Sequence, residues 1–142
     1  MGFLAKLMET HSNSGTDYNK FTLLSSDESA DVTIADYIVE QGTSGNWTYR
    51  KWNSGIAECW GTFVQSSASF TATGNIYYRN PGGHYFPFAF IETPVVQASV
   101  EMGNVGGCMV IATATSATVY TISAVAQARA ITERIYAIGR WK

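Results

Sequence analysis

The chain of 142 residues is short of charge, of proline, of cysteine and histidine, and of long apolar runs. Charged residues make up 14% of it, well under the share of about a quarter that is usual for globular domains. The formal net charge is −2, so no basic field is available to hold nucleic acid or an anionic membrane. The two cysteines, Cys59 and Cys108, and the two histidines, His11 and His84, show no metal-ligand spacing. No metal and no cofactor is expected. The cysteines read as small buried apolar residues, and whether they pair is open at this stage. The segment 102–127 is uncharged but rich in Thr, Ser and Gly and broken near 115–117. A spanning helix needs about 20 mostly apolar residues, so membrane insertion is not expected. The apolar residues 1–8 are too short and poorly arranged for a signal peptide.

The chain is instead rich in aromatics and in turn residues. Its length is that of one ordinary domain with one real core. Segment 47–61 holds three of the four tryptophans, Trp47, Trp52 and Trp60. It reads as two short strands around a turn at 53–55, where Gly55 supplies a positive φ. Further strand-like runs lie near 37–41, 68–72, 75–79, 85–90, 94–102, 107–115, 118–127 and 133–141. Gly, Pro and Asn turns separate them. Such a series predicts an all-β antiparallel sandwich or barrel. Residues 1–35 read as an N-terminal arm, stalk or linker, with a short helical turn at 3–9, a polar stretch at 11–19, an apolar run at 21–24 and an acidic loop at 25–31. Residues 36–142 read as the β domain.

Alternation assigns the faces of several strands. Val96, Ala98 and Val100 point one way; Val95, Gln97, Ser99 and Glu101 point the other. Ile135, Ala137, Gly139 and Trp141 share a face against Tyr136, Ile138 and Arg140. The pair 107–115 and 118–127 carries no charge on either face. A solvated antiparallel face normally shows charged or strongly polar positions. One face is therefore expected in the core and the other under a second copy of the chain, unless Thr alone suffices to solvate it.

Segments 36–42, 45–52 and 54–61, together with the closing run 135–141, resemble a domain found at the C-termini of bacteriophage and prophage tail proteins. The stretch between, with Phe86-Pro-Phe-Ala-Phe90 ahead of Pro94-Val-Val-Gln-Ala-Ser99, is similar in pattern to the H-type lectin fold. The resemblance covers roughly 36–142. It implies an H-type-lectin-like antiparallel β-sandwich, homotrimeric, at the tip of a tail fibre or baseplate protein. It further implies adhesion to a bacterial cell-surface polysaccharide or cell-wall glycan, other phage tail proteins as partners, and residence in the virion. No sugar-binding set of that family maps onto this sequence residue by residue.

Candidate ligand groups come from the residues themselves. Loop 77–85 concentrates Arg79, a forked donor, Asn80, both donor and acceptor, His84, and Tyr85 around a Pro-Gly-Gly turn. A second loop, 103–107, offers Asn104. Trp47 and Tyr49 are suited either to stacking on sugar rings or to the core. Trp52 and Trp60 are assigned to the core or an interface. Arg50 and Glu58 are placed to pair across the hairpin. If the loop residues face solvent, replacing Arg79 and His84 by Ala should remove binding and leave stability within about 0.5 kcal/mol.

Catalysis is not expected. Glycoside hydrolysis needs two carboxylates at a set separation, and Glu40, Glu58, Glu92, Glu101 and Glu133 are scattered. A Ser-His-Asp set assembles in space rather than in sequence, but no Gly-x-Ser-x-Gly turn accompanies the histidines, and no phosphate-binding glycine loop is present. The chain reads as a non-enzymatic tail-tip adhesin, with two alternatives: a trimerisation or capping module without a ligand, and a stand-alone secreted lectin.

Overall fold

A computed structural model describes residues 36–142 in full and the backbone of two strands before them, Lys20–Leu24 (β1) and Ser29–Thr33 (β2). The helical turn expected at 3–9 and the polar stretch at 11–19 lie outside the described residues. Contacts divide the chain into two units, Met1–Ile38 and Val39–Lys142. In the first, β1 and β2 form an antiparallel hairpin, with Lys20 opposite Thr33 and Leu24 opposite Ser29. The acidic loop expected over 25–31 is thus shorter, because 29–31 already pair with β1.

The second unit is an all-β antiparallel sandwich. One sheet has the order β3-β4-β5-β12-β9, built from Ile38–Ser44, Trp47–Trp52, Ile56–Ala68, Arg129–Arg140 and Val95–Met102 respectively. The other has the order β10-β11-β7-β6, from Gly106–Ala112, Ser116–Ser123, Ile76–Arg79 and Thr71–Thr73. A short strand β8, Gly83–Tyr85, also pairs with β11. The aromatic hairpin forms as expected: Trp47 opposes Gly61, and Arg50 opposes Glu58. Gly55 closes its turn at φ 92°, a conformation that costs any residue with a Cβ.

Residue alternation sends one face of each sheet inward. Val96, Ala98 and Val100 pack against the core from β9, and Ile135 and Ala137 are buried on β12. The core joins these to Trp47, Ala57, Cys59, Ala117 and Val119. Both cysteines are free thiols. Burial and the neighbouring Glu58 carboxylate push the Cys59 thiol up to about 12, so it stays protonated and inert.

Two expectations are corrected. Segment 85–90 is not a strand beyond Tyr85; 86–94 runs irregularly between β8 and β9. Pro87 removes a backbone donor there, and Phe86 and Phe90 are both buried, meeting at right angles with centroids 5.3 Å apart. Their amides are satisfied by Thr115 and Ala114 carbonyls, each at 2.9 Å. The run expected at 68–72 splits, since β5 continues to Ala68 and β6 begins at Thr71. Of the tryptophans, the one left open between core and stacking lies in the core. Trp47 is 5% exposed, whereas Trp52 and Trp60 are only half-buried, because Trp60 lies on the opposite face of β5 from Ala57, Cys59 and Gly61.

Candidate functional site

The core changes character toward one end of the sandwich. There the inward positions are occupied by Glu133 from β12, Arg79 from β7, His84 from β8 and Thr121 from β11, rather than by aliphatic side chains. Arg79 Nη1 lies 3.0 Å from Glu133 Oε1, and His84 Nε2 lies 2.8 Å from Glu133 Oε2. Thr121 Oγ1 donates to the same carboxylate at 3.4 Å. Arg79 Nη2 donates to Gln65 Oε1 at 2.7 Å. The His84 ring lies against Phe63, centroids 4.1 Å apart. The Glu133 side chain is 4% exposed, and a carboxylate that deep is tolerable only when paired and hydrogen-bonded.

Arg79 and His84, singled out from sequence as ligand donors, are therefore brought together, but around an internal carboxylate. They fasten both ends of loop 80–83 to the sheet behind it. Asn80 is also used internally: its Oδ1 accepts from the Gly82 amide at 3.1 Å, and its Nδ2 donates to the Tyr120 hydroxyl at 3.3 Å. Tyr85 points out, 75% exposed. Asn104 sits between β9 and β10 and donates to Ser123 Oγ at 2.8 Å, leaving its Oδ1 buried without a donor. Trp47 is inside, edge-on to Phe63 at 5.1 Å and Phe86 at 5.6 Å, and is linked to His84 through Phe63. Tyr49 lies toward β3, where its hydroxyl donates to Glu40 at 2.9 Å and Lys51 reaches the other carboxylate oxygen at 2.8 Å. These two hydrogen bonds, Lys51's first, hold the Glu40 carboxyl below its ordinary range.

The sequence reading missed Glu133, although a signal was present. Glu133 has the same strand parity as Ile135 and Ala137, so it had to point inward with them. It also missed what lies on the outer face of the five-stranded sheet. There Trp60, Tyr136 and Gln97 stand in register across β5, β12 and β9, with Thr62, Arg134 and Ser99 as the next row. A groove of about 370 Å³ lies between the two rows, floored by Gly61, Ala98 and Ile135. The outer face of the other sheet differs in kind. Ile76, Met109 and Ile111 are 45%, 50% and 52% exposed there. A depression of about 330 Å³ is lined by Thr73, Ile76, Tyr78, Met109, Tyr120 and Ile122, with no charged group. This is the charge-free face expected from the 107–127 pattern.

No protein-family model matches the chain, and no curated protein matches its sequence. Two solved structures match its fold. One is the R1 pyocin fibre of P. aeruginosa, a fragment of C-terminal residues 323–701, with a TM-score of 0.51 and 18% identity over 70% of this chain. The other is an N-truncated R1-type pyocin tail fibre, with a TM-score of 0.52 and again 18% identity over 70% of this chain. The match spans 27% of the first fragment and 84% of the second. The antiparallel β-sandwich described here is thus a fold used in pyocin tail fibres, in agreement with the tail-protein resemblance of the sequence.

Proposed function

We propose that the chain is a non-enzymatic tail-fibre tip domain of a phage or prophage virion, which binds a bacterial surface saccharide as a homotrimer. The observation that carries this reading is the shared fold with tail-fibre fragments. The uncharged outer face of β10-β11-β7-β6 supports the oligomer. An apolar, aromatic-bearing face of this kind is disfavoured in water and suits burial against copies of itself. Three linked copies would turn weak monovalent sugar binding into useful avidity. Residues 1–35 would then serve as arm, stalk or linker to the rest of the tail, and 36–142 as the tip. Within loop 79–85, Arg79, Asn80 and His84 act as positioning residues that hold Tyr85 outward.

The second reading is a trimerisation or capping module with no ligand of its own. It is favoured by one observation: the donors of loop 79–85 are spent on Glu133, Gln65 and Tyr120. Pull-down on isolated bacterial cell walls and surface polysaccharides separates the two. Retention on at least one preparation is expected of an adhesin. No retention at millimolar saccharide would leave the cap.

A further inference from the structure

We infer that the groove on the outer face of the five-stranded sheet is a saccharide site, taking a neutral pyranose unit against Trp60. The inference rests on the adhesin reading and names the site for it. Its argument begins with how the groove comes to exist. An outer sheet face is normally covered by its own side chains, but here the neighbours are drawn apart. On one side, Tyr136 donates its hydroxyl to Glu58 Oε2 at 2.6 Å, and Arg50 sits 5.2 Å from the centre of the Trp60 ring while reaching Glu58 at 3.7 Å. Arg50 and Glu58 occupy the row beyond Trp60 and Tyr136, so both rings are held from that side. On the other side, Arg134 Nη2 is bound 2.9 Å from Glu101 Oε2, which lies one row further on. Thr62 and Ser99 are too short to fill the gap. The backbone of the sheet is left as a floor.

The chemistry of the walls selects the ligand. One wall is an indole edge or face with a phenol ring behind it, suited to the C–H face of a sugar. Gln97 continues the row of Trp60 and Tyr136, and Thr62 and Ser99 stand on the opposite rim; each can both donate and accept, which matches hydroxyls that do the same. Arg134 contributes directed donors, but its charge is already balanced by Glu101. A phosphate or sulfate would have to compete with that carboxylate, so a neutral ring is favoured. The groove is open rather than enclosed, and its volume leaves a polymer free to continue beyond one residue. None of the residues singled out in loop 79–85 lines it.

The test is an array of purified bacterial surface polysaccharides, neutral and anionic, probed with the whole chain and two variants. Trp60→Ala removes the stacking wall. Ser99→Trp fills the groove from an exposed position on the rim and leaves the Trp60 wall in place. Unfolding is monitored in parallel, so that a variant counts only if its melting temperature stays near that of the wild type. The expected result is binding to a neutral polysaccharide that falls at least tenfold in both variants. Wild-type binding that survives in either folded variant overturns the groove while leaving the adhesin reading intact. Binding confined to anionic polymers overturns the neutral-pyranose assignment. No binding by the wild type overturns the groove and the adhesin reading together.

Discussion

Glu133 sits between a guanidinium and an imidazole with 4% of its side chain exposed, and this sets the cost of disturbing loop 79–85. Removing one partner of a buried pair typically costs about 3–5 kcal/mol, because the remaining charge stays buried. Arg79→Ala is therefore expected to destabilise by several kcal/mol in urea unfolding, and the double change with His84→Ala by at least as much. This replaces the near-neutral outcome that solvent-facing loop residues would give. Glu133→Leu combined with Arg79→Met should recover much of the loss, since a packed apolar replacement leaves no orphaned charge. The Tyr136 hydroxyl is the second test at this scale. Its hydrogen bond to the Glu58 carboxylate, reinforced by burial, raises it to about 12, from an ordinary value near 10. A raised value means that the folded state holds this proton more tightly. Its contribution to stability is complete below about pH 10 and is lost as pH climbs through 12. Absorbance titration near 295 nm should show one tyrosine returning toward 10 in Glu58→Gln. An unchanged curve would remove Glu58 as the cause. At pH 8 the Cys59 thiol should resist labelling in the folded protein and react on unfolding.

Among elements, the β4–β5 hairpin and β12 show where pattern was enough and where it failed. Alternation fixed which residues share a face, and the register Arg50 to Glu58 bears out the expected pairing. Alternation does not say which face is inside. Both faces of the β4–β5 hairpin carry a tryptophan, Trp47 on one and Trp52 with Trp60 on the other, so the choice of inner face fell to the partner sheet and to 86–90. That segment misled for a related reason: its aromatics at every second position imitate a strand, while Pro87 and the buried Phe86 and Phe90 make it a plug. On β12 the inward assignment of Gly139 has a sharp consequence. A Cβ there would lie 2.9 Å from Pro94 Cβ and 3.1 Å from Phe90 Cδ1. Gly139→Ala should therefore cost about 1–3 kcal/mol by overpacking, read as a lower urea midpoint. The groove was not legible at all from sequence. It depends on which outer side chains are pulled to which neighbours, and Glu58 and Glu101 decide that only once register is known.

At the scale of the molecule, the two outer faces differ in charge and polarity. One carries Arg50, Glu58, Arg134 and Glu101 around a polar-rimmed groove. The other presents Ile76, Met109, Ile111 and Tyr85 without a charge among them. The charge-free pattern of 107–127 made that second face visible in the sequence, because charge is the cheapest signal of solvation. Lysines at Met109 and Ile111 are expected to leave the fold intact, as outward surface changes usually do within about 0.5 kcal/mol, and to prevent association. The proposed adhesin is an oligomer joined through this face, so the most direct test is the solution mass by light scattering. Wild type should give three times the 15.5 kDa chain mass, and Met109→Lys with Ile111→Lys a single chain. A wild-type mass of one chain at micromolar concentration would contradict it.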